Sequence, residues 1–265
     1  MKNFLKEKIS KTRKEKSKLF CAFLTLGYPN LTATEKLILE FERIGVDIVE
    51  LGFPFSDPLA DGPTIQYSSE QALKKGVCMD DAFQLAAKLR RRGCKMPLIF
   101  FTYLNPVYSF GMQKFVKEAR RSGFDGLIVP DLPPGEEPAL EKECVRQGLL
   151  RTVLATPTTS RERAGKISKA SDSFIYYVSL RGVTGTRKAL PSDLRANLSM
   201  LKKISFKPVL IGFGVSTPKQ ARELGALSDG VIVGSAIIES LRRSNGIGST
   251  VNFVRRMVNA LKSRR

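Results

Sequence analysis

Val46-Asp47-Ile48-Val49-Glu50-Leu51-Gly52 runs directly into Phe53-Pro54-Phe55-Ser56-Asp57-Pro58-Leu59-Ala60-Asp61-Gly62-Pro63-Thr64-Ile65-Gln66. The first segment is nearly continuous in branched apolar residues, the pattern of a strand buried on both faces of a parallel sheet. The second holds three prolines and two aspartates and shows no helical pattern until after Pro63. A buried strand, a stiff acidic loop and then a helix make one β-loop-α unit. In parallel α/β folds, chemistry collects at the junction after the strand.

Seven more apolar runs of the same kind follow or precede this one, at 19–26, 97–103, 126–129, 152–155, 174–179, 208–213 and 230–233, so that with 47–52 there are eight. Helical stretches lie between them. Thr32-Ala33-Thr34-Glu35 reads as a capping box ahead of Leu37, Ile38, Phe41 and Ile44, with Gly45 as the stop. Residues 113–121 close at Ser122-Gly123, and 140–146 close at Gly148. Pro191-Ser192-Asp193-Leu194 opens another helix, and Thr217-Pro218 starts one expected to end before Gly225. Strands alternating with helices imply right-handed β-α-β units and a parallel sheet. A doubly wound open sheet would carry a glycine-rich turn after its first strand. Thr25-Leu26-Gly27-Tyr28-Pro29-Asn30 has none. Eight units in 265 residues fit a closed barrel. The expectation is α/β, a single (β/α)8 TIM barrel over 1–265 with an extra N-terminal helix.

Lys and Arg number 44 against 25 Asp and Glu, a net charge of +19. The cations are scattered and fall mostly near predicted helix ends, where they complement the helix dipole. None of the basic runs is interleaved with the aromatics that single-strand binders use, so nucleic acid is not the expected partner. No stretch approaches a membrane span. The charged opening Met1-Lys2-Asn3-Phe4-Leu5-Lys6-Glu7-Lys8 has no apolar core after it, unlike a signal peptide. A cytoplasmic protein is expected. Cys21, Cys78, Cys94 and Cys144 lack metal or disulfide spacing and read as reduced and structural, Cys21 as a small hydrophobe inside an apolar run. Histidine is absent, which excludes a histidine triad, metal site or general base. Proton transfer then falls to a carboxylate, Lys, Tyr or Cys.

Glu50 stands near the tip of the second strand. Sharing a face with Ile48 would aim its carboxylate into the barrel mouth, where desolvation raises its pKa. Pairing with one of the many cations is the other reading, and spacing leaves both open. Asp57 and Asp61 read either as an active-site wall or as caps on turn N–H groups. Gly212-Phe213-Gly214-Val215-Ser216 and Val233-Gly234-Ser235-Ala236 end the seventh and eighth strands, where such barrels hold phosphate on backbone N–H groups. Arg181-Gly182-Val183-Thr184-Gly185-Thr186-Arg187-Lys188 reads as a mobile lid or an ordinary surface loop.

These segments resemble the tryptophan synthase alpha chain family over almost the whole sequence. The carrying motifs are Phe23-Leu24-Thr25-Leu26-Gly27, the stretch from Glu50 to Gln66, Tyr103-Leu104-Asn105-Pro106, Pro130-Asp131-Leu132-Pro133, 179–185, Gly212-Phe213-Gly214 and Gly234-Ser235. The resemblance implies a retro-aldol lyase that cleaves indole-3-glycerol phosphate to indole and glyceraldehyde 3-phosphate. It implies Glu50 as the general acid–base and Asp61 as the carboxylate that accepts the indole N–H. Phe23, Tyr103, Leu154, Tyr176 and Phe213 would surround the indole. Gly185, Gly214, Gly234 and Ser235 would contact the phosphate, and Thr184 would belong to the lid. Pro54 and Asp57 would face a beta chain, a pyridoxal-phosphate enzyme, in an alpha2beta2 heterotetramer. No cofactor or metal is implied for the alpha chain itself. Tyr28, Phe53 and Arg181 depart from the family's usual residues, all close to the lid and partner surface. Two other classes compete with the lyase: a non-catalytic allosteric subunit, against which the intact acids and glycines argue, and a basic barrel that binds RNA.

Overall fold

The computed structural model describes residues 2–178, 193–212, 214–243 and 246–263. Its strands are β1 (Leu19–Thr25), β2 (Ile48–Gly52), β3 (Leu98–Phe101), β4 (Gly126–Ile128), β5 (Leu150–Arg151), β6 (Val153–Ala155), β7 (Ile175–Val178), β8 (Val209–Gly212) and β9 (Gly230–Val233). Its helices are α1 (Phe4–Glu15), α2 (Leu31–Arg43), α3 (Pro63–Leu73), α4 (Met79–Arg91), α5 (Leu104–Phe110), α6 (Met112–Ser122), α7 (Pro138–Gln147), α8 (Arg161–Ala170), α9 (Leu194–Ile204), α10 (Pro218–Leu227), α11 (Ser235–Arg243) and α12 (Ile247–Lys262).

All strand pairs are parallel, and the order is β5-β4-β3-β2-β1-β9-β8-β7-β6. The two ends of that order, β5 and β6, are separated in the chain only by Thr152. They are one strand interrupted, so the ring is the expected (β/α)8 barrel. At the interruption Thr152 is bonded on both sides. Thr152 donates its N–H to Leu127 O at 3.0 Å on one side. Its hydroxyl meets Ser173 Oγ at 2.5 Å on the other. The expected strand at 152–155 begins earlier, at Leu150, and breaks at its anticipated start.

Alternation along each strand sorts the core into two layers. Phe20, Ala22 and Leu24 of β1 pack outward against the helices, while Cys21 and Phe23 join Ile48, Ile99, Phe101, Ile128, Tyr176, Leu210 and Ile232 in the interior. Both faces are apolar, which is why the strands read as unbroken hydrophobic runs. The extra helix α1 lies across the N-terminal end of the barrel. Leu5 is buried in the interior cluster, and Phe4 N donates to Asp125 Oδ1 at 2.8 Å.

Two helix boundaries differ from expectation. The N-cap of α2 is Asn30, whose side chain accepts from Ala33 N at 2.8 Å. Glu35 takes no part in a capping box; Lys88 and Arg92 hold it, each at 2.7 Å. Helix α10 starts at Thr217-Pro218 as read but continues through Gly225 to Leu227. Gly225 is there for close helix packing: a Cβ would come within 2.2 Å of Leu261 Cδ1 on α12. Of the cysteines, Cys21, Cys94 and Cys144 are free and buried. Cys78 is free and exposed ahead of α4.

Candidate active site

Glu50 occupies the next inward position after Ile48 on β2, with Phe23 as its register partner on β1. It is 0% exposed, and neither carboxylate oxygen has a hydrogen-bond partner. The alternative of an ion pair is thereby removed. A carboxylate without water or a cation favours its neutral form. Burial pushes the Glu50 pKa up to about 8, with the Cys21 thiol, one inward position below Phe23, pulling weakly the other way. Cys21 is itself held protonated by burial and by the neighbouring Glu50.

Asp61 closes the loop 53–62 just before α3. The loop is braced from inside: Phe53 N donates to Phe101 O at 2.8 Å, Leu59 N to Asp57 O at 2.9 Å and Asp61 N to Pro58 O at 2.9 Å. Tyr103, at the start of α5, supports it from β3's side. Its hydroxyl accepts from Ala60 N at 3.1 Å, and its ring lies 5.4 Å from that of Phe55. Asp61 is half-buried, and desolvation raises its pKa to about 6, the Tyr103 hydroxyl tempering the rise. Its carboxylate caps no backbone N–H among the described residues, whereas Asp57 is exposed and takes a 2.5 Å hydrogen bond from Ser56 Oγ.

Tyr176 senses both acids. It is buried on β7, and its phenol pKa is pushed far up first by burial and then by the charges of Glu50, Cys21 and Asp61. Both carboxylates therefore lie near enough to this phenol to act on it. Phe23 and Phe101 meet edge to face at 5.5 Å across the same interior, and Leu154 packs half-buried on β6 against it.

The glycines after the last strands lie at this end too. Gly234 lies against Phe23, since a Cβ there would fall 3.3 Å from Phe23 Cβ. Ser235 opens α11, with its side chain exposed. The first N–H groups of a helix have no partner inside it and present a positive dipole end. Gly214 is exposed and has φ +78, a conformation that glycine tolerates freely. Thr184, Gly185 and Phe213 lie outside the described residues, as does the whole stretch 181–188.

Sequence reasoning missed three features. Gly212, read as part of a phosphate turn, makes room for Tyr176: a Cβ would come 2.5 Å from Tyr176 Cε1. Cys21, read as a small hydrophobe, is the polar group beneath Glu50. Leu59, in the loop beside Asp57, is 91% exposed. Pro54 is buried by its own chain, and Ser56, Asp57, Leu59 and Ala60 form the exposed part of that loop. The signal available for Gly212 was its position, an inward strand end two residues after Leu210; nothing in the pattern marked Leu59.

A parallel barrel with two carboxylates of unlike pKa at its mouth, beside a glycine-rich helix start, defines an acid–base barrel enzyme for a phosphorylated substrate. The model of one family, the tryptophan synthase alpha chain, matches residues 9–263. A relative from Geobacter sp. (strain M21), a tryptophan synthase alpha chain, is 40% identical over 91% of this chain and 90% of its own. The crystal structure of tryptophan synthase subunit alpha from Legionella pneumophila str. Paris superposes with a TM-score of 0.90 at 32% identity, covering 98% of this chain and 99% of that one. A structure of Mycobacterium tuberculosis tryptophan synthase gives a TM-score of 0.90 at 30% identity, covering 98% of both chains. The chain belongs to the tryptophan synthase alpha chain family.

Proposed function

We propose that Glu50 and Asp61 divide the acid–base work of one retro-aldol cleavage between them. The chain is a carbon–carbon lyase that splits indole-3-glycerol phosphate into indole and glyceraldehyde 3-phosphate, the alpha-subunit reaction of L-tryptophan biosynthesis. The observation that carries the division of roles is the splitting of the two pKa values, to about 8 and about 6. At neutral pH it leaves Glu50 protonated and Asp61 ionised, the arrangement by which one fold supplies an acid and an anion together.

The steps follow from those states. Protonated Glu50 donates to the ring carbon bearing the glycerol chain, and positive charge develops on the indole nitrogen. Asp61 accepts the N–H and balances that charge, a stabilisation of the kind that dominates many enzyme rate enhancements. The carbon–carbon bond then breaks with its electron pair returning to the ring. The Glu50 carboxylate takes the hydroxyl proton from the side chain, which leaves as the aldehyde. The acid is regenerated, and no cofactor or metal is required.

Phe23, Tyr103, Leu154, Tyr176 and Phe213 enclose the indole in this reading. Gly185, Gly214, Gly234 and Ser235 hold the phosphate, and Thr184 lies on the lid. The loop bearing Pro54 and Asp57 meets a tryptophan synthase beta chain in an alpha2beta2 assembly, with Leu59 supplying exposed apolar area at that surface. The whole of 1–265 acts as one domain in the cytoplasm, binding no nucleic acid; among the described residues no helix is long and apolar enough to cross a membrane. An indole-release assay on indole-3-glycerol phosphate, with and without a beta chain, tests reaction and partnership together. Indole is expected in both arms, faster with the partner; no indole in either would contradict the reading.

A further inference from the structure

A cavity of about 610 Å³ opens at the N-terminal end of the barrel, between α1 and the residues leading into β5, β7 and β8. This is the face opposite the carboxylates. Its size lies within the usual range for small-molecule sites, roughly 300–1,000 Å³. Lys6, Arg13 and Lys14 line it from α1, and Lys207 from the segment before β8. The floor is apolar, formed by Ile9, Leu149 and Pro208 among others.

The charge around it is unbalanced. Lys2, Lys8 and Lys11 of the same segment each have an acidic partner, Glu7, Asp47 and Glu15. Lys6, Arg13 and Lys14 have none among the described residues. Asp172, the acid in the lining, is engaged by Arg151 Nε at 2.8 Å. Arg13 and Lys14 stand in the last turn of α1, where cations complement the helix dipole. That explanation does not reach Lys6 in the first turn, where a cation is disfavoured, nor Lys207 on the opposite wall. Lys207 donates to the Asp172 carbonyl at 3.3 Å and has no acidic partner among the described residues. Cations without a carboxylate, converging from two elements on a concave apolar floor, match a ligand with a negative head and an apolar body.

We propose that this cavity is a second ligand site, separate from the substrate site, that takes a small organic anion with an apolar body. The body lies on the floor of Ile9, Leu149 and Pro208, and the head is held by Arg13 and Lys14, with Lys6 and Lys207 on either side. The interaction is electrostatic at its rim, so it weakens with salt.

Fluorescence titration of the full chain with anilinonaphthalene sulfonate, a dye with both features, tests the site. Arg13→Glu with Lys14→Glu should weaken dye binding about tenfold, the effect of reversing two exposed charges beside an anion. Lys36→Glu with Arg256→Glu, an equal charge change at exposed positions elsewhere, should leave it unchanged. Saturating indole-3-glycerol phosphate should not displace the dye. The proposal is overturned by absence of saturable binding to the unmodified chain, by equal effects or no effect in the two double variants, or by displacement with the substrate.

Discussion

Phe23 on β1 and Glu50 on β2 are register partners on the inner surface of the barrel. The pairing sets an aromatic ring beside a carboxylate that has no cation partner and has the Cys21 thiol as a polar neighbour. The ring occupies the space above Gly52, where a Cβ would approach Phe23 Cζ to 2.4 Å. Burial at the barrel interior, whose cluster includes Phe23 and Tyr176, keeps Glu50 dry. Asp61, half-exposed on its braced loop, stays the stronger acid. The division of labour between the two acids is thus a division of solvent access.

Activity should be bell-shaped in pH. Asp61 must be ionised, so kcat/KM falls as pH drops through about 6; Glu50 must carry its proton, so it falls again as pH rises through about 8. The ratio kcat/KM reports the free enzyme, the state in which these values apply. A profile flat from mildly acidic to mildly alkaline pH would contradict the assignment.

Folding stability should carry the same signature. The folded-state pKa of Glu50 is raised, so ionising it opposes folding. The penalty is absent below the unfolded value of about 4.3, grows as pH rises and is complete above the folded value. Glu50→Gln removes it. Denaturant unfolding should show the variant equal to the unmodified chain near the acidic end and more stable, by up to a few kcal/mol, on the alkaline side. Equal stability throughout would mean that Glu50 is hydrated or paired.

Asp61→Asn keeps the loop's shape and removes the anion. A group that stabilises charge appearing only in the transition state lowers kcat with little change in KM. The loss should be on the order of a hundredfold. Steady-state kinetics with indole-3-glycerol phosphate decides, and unchanged kcat would remove Asp61 from the chemistry.

Gly212→Ala tests the wall behind the acids. The new methyl would sit 2.5 Å from Tyr176 Cε1 and 2.7 Å from its Cζ, so the ring must move toward the substrate space. Overpacking of this kind costs about 1–3 kcal/mol. The variant should unfold at lower denaturant and bind substrate more weakly. An unchanged KM would show that Tyr176 can retreat elsewhere.

Much of this was legible in the residues. Strands buried on both faces leave a strong signal, and the period of a strand offered an inward direction for Glu50, two residues after Ile48, while spacing alone left an ion pair equally open. The resemblance supplied the roles. Pattern alone could not supply what depends on neighbours distant in sequence. Thr152, at the break between β5 and β6, bonds Leu127 on one side and Ser173 on the other. Gly225 continues α10 because Leu261 packs over it, and Glu35 leaves its expected cap for Lys88 and Arg92. Cys21 reads as a hydrophobe until Glu50 is placed above it. Thr184, Gly185 and Phe213 rest on the resemblance alone.

The central claim is that the dry Glu50 carboxyl supplies and recovers the proton that breaks the carbon–carbon bond. Indole release by the Glu50→Gln variant tests it most directly, with circular dichroism as a check that the barrel is folded. The expected result is a folded protein with indole formation reduced to background. Indole formation at the unmodified rate would contradict the claim.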